Sequence, residues 1–327
     1  MNGKADAPKL RWGIIGPGNI ARYAIAPAIR YSSNGRLLII GSREPVRAAA
    51  IALETEAETS VGSYEALLKR DDVDAVYIGL PNGLHEEWTI AAAKAGKHVL
   101  CEKSLTLTEA SALRMRAACA KANVLLMEAF MYRHHPQWIR VRDLLNEGAI
   151  GQVRSISAHL CGNLTNGADH RWSTELGGGA LHDVTCYGIN MARYLTGAEP
   201  ISVKASAELV KRGVDRTSHA VLEFPGGILA NVHGSLSSYG SQGLCVYGTD
   251  GMLMVEKPVI PGFEPTMLYL HRESRVEPIQ ISGANHFLHQ VEHFAACVAD
   301  GKLQYPAEDG VANVAACEKA QKSWEGK

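Results

Sequence analysis

Gly16-Pro17-Gly18-Asn19-Ile20-Ala21 follows a short apolar run at 11–15 and opens a helical pattern over 20–30. This is the G-x-G-x-x-G/A arrangement in its strand–turn–helix context. The first glycine permits the tight turn, the second lets backbone approach a pyrophosphate, and the small third residue lets helix and strand pack closely. The helix start then turns free N–H groups toward negative phosphates. Gly16, Gly18, Asn19 and Ile20 are therefore expected against a dinucleotide. About 20 residues on, where an NAD site places Asp or Glu for the ribose 2′-hydroxyl, a second apolar run ends in Gly41-Ser42-Arg43, and the first carboxylate is Glu44. Ser42 and Arg43 offer a hydroxyl and a fixed cation, which suit a 2′-phosphate, so NADP is expected over NAD.

A dinucleotide that carries hydride needs a partner for the proton of an alcohol. Lys103 stands just past an apolar run, at the strand end where ligands bind in parallel sheets. Asp183 and Tyr187 are four residues apart on a helical pattern and share a face. Tyrosine is a weak base at its ordinary pKa near 10, and a neighbouring ammonium favours the phenolate. The expected roles are Tyr187 as proton donor or acceptor, Lys103 as its electrostatic partner and Asp183 as substrate anchor. Arg133, His170 and Arg171 are expected to line the substrate pocket, and His182 to be a core histidine. His289-Gln290-Val291-Glu292-His293 matches an inverted zinc-protease pattern, but no distal third ligand stands out, so no metal is expected. No tyrosine has a lysine four residues later, which removes short-chain dehydrogenases, and no cysteine cluster suits a zinc alcohol dehydrogenase.

The elements that must position these residues alternate through the first 130 positions. Strand patterns fall at 11–15, 37–40, 75–80, 99–100 and 124–127. Helical ones fall at 20–30, 44–56, 63–69, 84–95 and 109–120. Alternation of this kind predicts a doubly wound parallel sheet. Beyond it, helices are predicted at 136–146, from Gly179 to about 195, at 286–299 and at 308–324. Strands at 153–159, 203–209, 220–224, 228–235, 243–247 and 253–255 follow one another without helices and predict a mostly antiparallel sheet. The domains are accordingly 1–130, binding the dinucleotide, and 131–327, an α+β unit for substrate and self-association.

The chain has 327 residues, enough for two domains. A net charge of -1 argues against a nucleic-acid or membrane-surface partner. Seven scattered cysteines with no Cys-x-x-Cys pair fit a reducing cytoplasm. If the outer face of the second sheet is apolar, a homodimer or homotetramer that buries it is expected.

Taken together the motifs resemble the Gfo/Idh/MocA family: glucose–fructose oxidoreductase, inositol dehydrogenase and relatives. The resemblance spans nearly the whole chain. It rests on the glycine loop, Leu80-Pro81-Asn82-Gly83-Leu84-His85, Glu102-Lys103, Glu128-Ala129-Phe130-Met131-Tyr132-Arg133-His134-His135-Pro136, Gly177-Gly178-Gly179-Ala180-Leu181 and Asp183-Val184-Thr185-Cys186-Tyr187. The segment from Phe130 to Pro136 looks most like the branch of NADP-dependent xylose dehydrogenases and dimeric dihydrodiol dehydrogenases. The resemblance implies cofactor contacts at Leu80, Pro81, Asn82, His85, Glu102 and Lys103. It also implies hydride transfer to or from a sugar or polyol. An aldose 1-dehydrogenase acting on xylose or glucose is favoured, with trans-dihydrodiol dehydrogenase or ketosugar reductase as alternatives. Some relatives bind the dinucleotide as sensors without catalysis, and the presence of Lys103, Asp183 and Tyr187 together argues for an enzyme. Ser104 stands where the family usually has proline.

Overall fold

The computed structural model describes residues 8–211 and 213–325. The first half forms β1 (Leu10–Ile15), α1 (Ala26–Tyr31), β2 (Gly35–Gly41), α2 (Pro45–Thr55), β3 (Thr59–Val61), α3 (Tyr64–Leu68), β4 (Ala75–Ile78), α4 (His85–Lys94), β5 (His98–Cys101), α5 (Glu109–Lys121) and β6 (Leu126–Glu128). All six strands pair in parallel in the order β3-β2-β1-β4-β5-β6. The order reverses between β1 and β4, which opens a crevice at their C-terminal ends. Strand residues Ile14, Ile15, Val76, Ile78, Val99 and Leu100 are fully buried, as expected when helices cover both faces. Side chains close the helix starts: Ser63 accepts the Ala66 N–H at 3.0 Å and Thr108 the Ser111 N–H at 3.2 Å.

The second half comprises α6 (Pro136–Asn146), β7 (Val153–Asn163), α7 (Cys186–Thr196), β8 (Ser202–Leu209), β9 (Asp215–Phe224), β10 (Ile228–Ser235), β11 (Ser237–Gly248), β12 (Met252–Val255), β13 (Thr266–Arg272), β14 (Arg275–Ile281), α8 (His286–Asp300) and α9 (Ala307–Glu325). Its eight strands run β14-β13-β12-β11-β7-β10-β9-β8, antiparallel except where β10 lies parallel to β7. Strands β3, β13 and β14 lie where no strand is expected. Alternate residues of the central strands, such as Ile156, Leu222, Val232 and Val246, are buried on one face under Trp138, Ile189 and their neighbours. Helix α7 lies close on this face. A Cβ added at Gly188 would stand 2.8 Å from Val232 Cβ, so only glycine admits that approach.

The last two helices return to the first half. On α8, Val291, Phe294 and Ala295 share a core with Trp12, Ile25 and Ile29, and the Phe294 and Trp12 rings are 5.3 Å apart. On α9, Val311 and Val314 pack with Leu105, Met115 and Leu126, while Ala316, Cys317 and Ala320 face the second core. The two sheets separate between β6 and α6, but the first core is completed by residues from the far end of the chain.

Candidate active site

The glycine loop, the end of β2, the residues after β4 and β5, and the loop before α7 enclose a cleft of about 430 Å³. Gly16 holds φ at 77°, in the left-handed region, and a Cβ there would meet Leu80 Cδ2 at 2.5 Å. At Gly18 an added Cβ would meet only the Gly79 carbonyl, at 3.7 Å, so the backbone is open to a ligand. Of the residues anticipated from sequence, Gly16, Gly18, Asn19, Ile20, Ser42, Arg43, Leu80, Pro81, Asn82, Glu102, Lys103, His170, Arg171 and Asp183 line this cleft. Arg47 and Tyr64 join Arg43 at the β2 end. Arg47 lies four residues from Arg43 at the start of α2, a spacing visible in the sequence. Tyr64 carried no comparable signal. A glycine-lined loop facing a helix start, with two guanidiniums where a 2′-phosphate would sit, fits NADP.

At the opposite end, residues from the two halves meet. Lys103 Nζ donates to Asp183 Oδ1 at 2.9 Å and to the Asp183 carbonyl at 2.7 Å. Asp183 Oδ2 accepts from Arg171 Nε at 2.9 Å, and Arg171 is also paired with Asp169. Asp183 lies in a wide π-turn, Leu181–Thr185, that runs into α7. Such turns recur at functional sites. Burial opposes charge on Asp183, but Lys103 and Arg171 outweigh it and hold the carboxyl at about 2. Burial likewise opposes the Lys103 ammonium, and Asp183, Cys186 and Glu102 together raise its pKa. Glu102 is raised by burial against the pull of Lys103, and accepts the Tyr77 hydroxyl at 2.6 Å. Tyr77, the one polar-tipped residue of β4, also faces the cleft. The peptide between Lys103 and Ser104 is cis.

Several expectations need correction. Tyr187 lies below the cleft wall, 5 % exposed, with its ring 5.2 Å from Lys103 Nζ and its hydroxyl 3.5 Å from Met131 Sδ. Its pKa moves opposite to expectation. Burial first, then the carboxylate of Glu102, push it well above 10, because the Lys103 charge is directed at Asp183. Arg133 does not line the cleft. It is buried, ion-paired with Asp309 and flanked by the Tyr194 and Tyr305 rings, each 5.0 Å away. His85 is also off the cleft wall. Its ring braces two loops, Nε2 lying 2.8 Å from the Leu80 carbonyl and Nδ1 2.9 Å from that of Ser104. His182 needs no correction: it is buried, as expected of a core histidine, with Nε2 3.4 Å from Gln321 Oε1.

A doubly wound sheet, a glycine loop at its crevice and a buried Lys–Asp pair in the same cleft define a dinucleotide-dependent oxidoreductase. The chain belongs to the GFO/IDH/MocA family. Residues 10–130 match its oxidoreductase family model with NAD-binding Rossmann fold, and residues 138–254 match its C-terminal domain. It is 37% identical over 299 residues to D-xylose 1-dehydrogenase (NADP(+)) 2 of Haloferax volcanii, covering 90% of each chain. A 3-ketoreductase of Actinomadura kijaniata, solved with NADP and TDP-benzene, superposes with a TM-score of 0.93 at 32% identity, over 97% of this chain and 98% of that one. The aldose-aldose oxidoreductase of Caulobacter crescentus superposes at 0.90 with 28% identity, over 98% of both. Among the described residues, no helix is long and apolar enough to cross a membrane.

Proposed function

We propose that this chain is an NADP-dependent sugar dehydrogenase that oxidises an aldopyranose at C1, with xylose first among candidates. The observation that carries the reading is the Lys103–Asp183 pair, 2.9 Å apart, facing Arg43 and Arg47 along one cleft. The 37% identity to a xylose dehydrogenase supports the choice of sugar. Bound in the cleft, NADP would supply the acceptor for the hydride that leaves the substrate carbon. Asp183, held as the anion, accepts a hydrogen bond from a sugar hydroxyl, and His170 and Arg171 flank it. Lys103 stabilises negative charge developing on the reacting oxygen. For Tyr187 to exchange the hydroxyl proton with that oxygen, its hydroxyl turns from Met131 Sδ toward the cleft.

The likeness to a 3-ketoreductase favours a second reading, reduction of a ketosugar, in which the Tyr187 phenol donates its proton to the alkoxide oxygen formed as hydride reaches the carbonyl carbon. Absorbance at the NADPH band, followed with pentoses, hexoses, inositols and a trans-dihydrodiol, with NAD in parallel, tests the first reading. NADPH consumption with ketosugars tests the second. Tight NADP binding with silence in both directions would refute both and favour a sensor.

Self-association through the outer face of the second sheet belongs to the same proposal. Val221, Leu229 and Tyr247 stand there 42, 45 and 41 % exposed. Light scattering showing a monomer at micromolar concentration would refute it.

A further inference from the structure

Two buried carboxylates outside the cleft hold the two halves of the Lys103–Asp183 pair, each through a backbone hydrogen bond. Glu128, the last residue of β6, accepts the Leu105 N–H at 2.7 Å, two residues past Lys103. Asp215, the first residue of β9, accepts the Leu181 N–H at 2.7 Å, two residues before Asp183, and also accepts from the Ser218 hydroxyl and its own N–H. The residues are 8 % and 7 % exposed. Neither carboxylate has a salt bridge among the described residues, so stability through ion pairing does not explain them.

The surroundings are shaped to these contacts. Gly179 adopts φ 109°, and a Cβ there would stand 2.0 Å from Asp215 Oδ1. A Cβ at Gly310 of α9 would come within 3.2 Å of Glu128 Oε2, which has no hydrogen-bond partner. Burying a carboxyl this way is costly. Burial pushes Glu128 up to about 8 and Asp215 up to about 6. A neutral carboxyl still offers its carbonyl oxygen to an N–H, so the contact survives protonation.

We infer that Glu128 and Asp215 are positioning residues for the proposed reaction, fixing the Lys103 loop and the Asp183 turn at the separation their ion pair requires. The inference rests on the reading of Lys103 and Asp183 given above. A displacement of about 1 Å in a reacting group costs up to roughly a hundredfold in rate.

The test separates acceptor position from charge. Glu128→Gln and Asp215→Asn keep an oxygen in place and remove the ionisable group. Glu128→Asp and Asp215→Glu keep the acid but move its oxygens by about one bond, ~1.5 Å. All four are compared by kcat with the best substrate of the panel, by NADP dissociation constant and by melting temperature. The amides are expected to keep kcat within about threefold, and the displaced acids to lose tenfold or more with NADP affinity unchanged. In single-turnover runs, combining a displaced acid with Lys103→Met should cost no more than Lys103→Met alone. Wild-type kcat in the displaced acids, an equal loss in the amides, or additive losses with Lys103→Met would each overturn the inference. If the displaced acids fail to bind NADP, the amide arm still decides. Undiminished turnover in Lys103→Met alone would instead refute the site on which the inference rests.

Discussion

Asp183→Asn removes one charge from the centre of the Lys103–Asp183–Arg171 chain while nearly preserving its shape. The Asp183 carboxyl titrates at about 2 rather than 3.8, a gap that converts to roughly 2 kcal/mol favouring the anion in the folded state. The folded pKa is the lower one, so this stabilisation is complete above 3.8 and is lost as pH falls through about 2. The variant should therefore be less stable than the parent by at least ~2 kcal/mol at pH 7, since it also leaves Lys103 and Arg171 facing each other without their counter-charge. Denaturant unfolding from pH 8 to pH 4 should show a constant gap, narrowing only below that. Turnover with the best sugar should fall about a hundredfold or more, with NADP affinity within twofold, because in the proposed reaction this carboxylate anchors the substrate. A variant of parental stability, or a gap that opens and closes around neutral pH, would refute the assignment of charge in this chain. Parental turnover would refute its catalytic role.

Other outcomes follow from the same geometry. Arg43→Ala should weaken NADP binding by about 1.5–3 kcal/mol, the range for a hydrogen bond to a charged group, and leave NAD binding unchanged by calorimetric titration; equal losses for both would refute the 2′-phosphate assignment. Because burial raises the Tyr187 pKa well above 10, sugar oxidation should keep accelerating from pH 7 to 10, whereas ketosugar reduction should be flat there; stopped-flow absorbance decides. Tyr187→Phe should leave NADP binding intact and cut turnover severely, and unchanged turnover would remove the residue from the mechanism. Phe294→Ala should destabilise the chain by about 3–5 kcal/mol in denaturant unfolding, as a large buried ring is lost from the Trp12 core.

Much of this arrangement was legible in the sequence where local pattern and tertiary role coincide. The glycine loop, the Ser42–Arg43 end of β2 and the alternating elements of the first half are local signals, and they land in the cleft as expected. What was not legible depended on distant partners. Arg133 sits in a motif that invites a substrate role, but its fate is set by Asp309, Tyr194 and Tyr305, none of which spacing brings near it. His85 lies three residues after Asn82, yet the carbonyls of Leu80 and Ser104 turn its ring away from the cleft. The Tyr187 pKa reversed direction because Lys103 has a better partner in Asp183. The β13–β14 hairpin carries no turn signal in the sequence because its turn uses Glu273 and Ser274 at φ 47° and 65°, where Asn-Gly is the usual signal. Its second strand carries Pro278 and is mostly exposed.

The return of α8 to cover β1 has a consequence for how the protein is made. Phe294, which closes over Trp12, is made 282 positions after it (294 − 12). At about 5–20 residues per second that interval is roughly 15–55 s. For all of it the nucleotide-binding half is a nascent chain with an open apolar flank. Its core can be sealed only once α8 has been made, so this half cannot mature ahead of the domain that follows it.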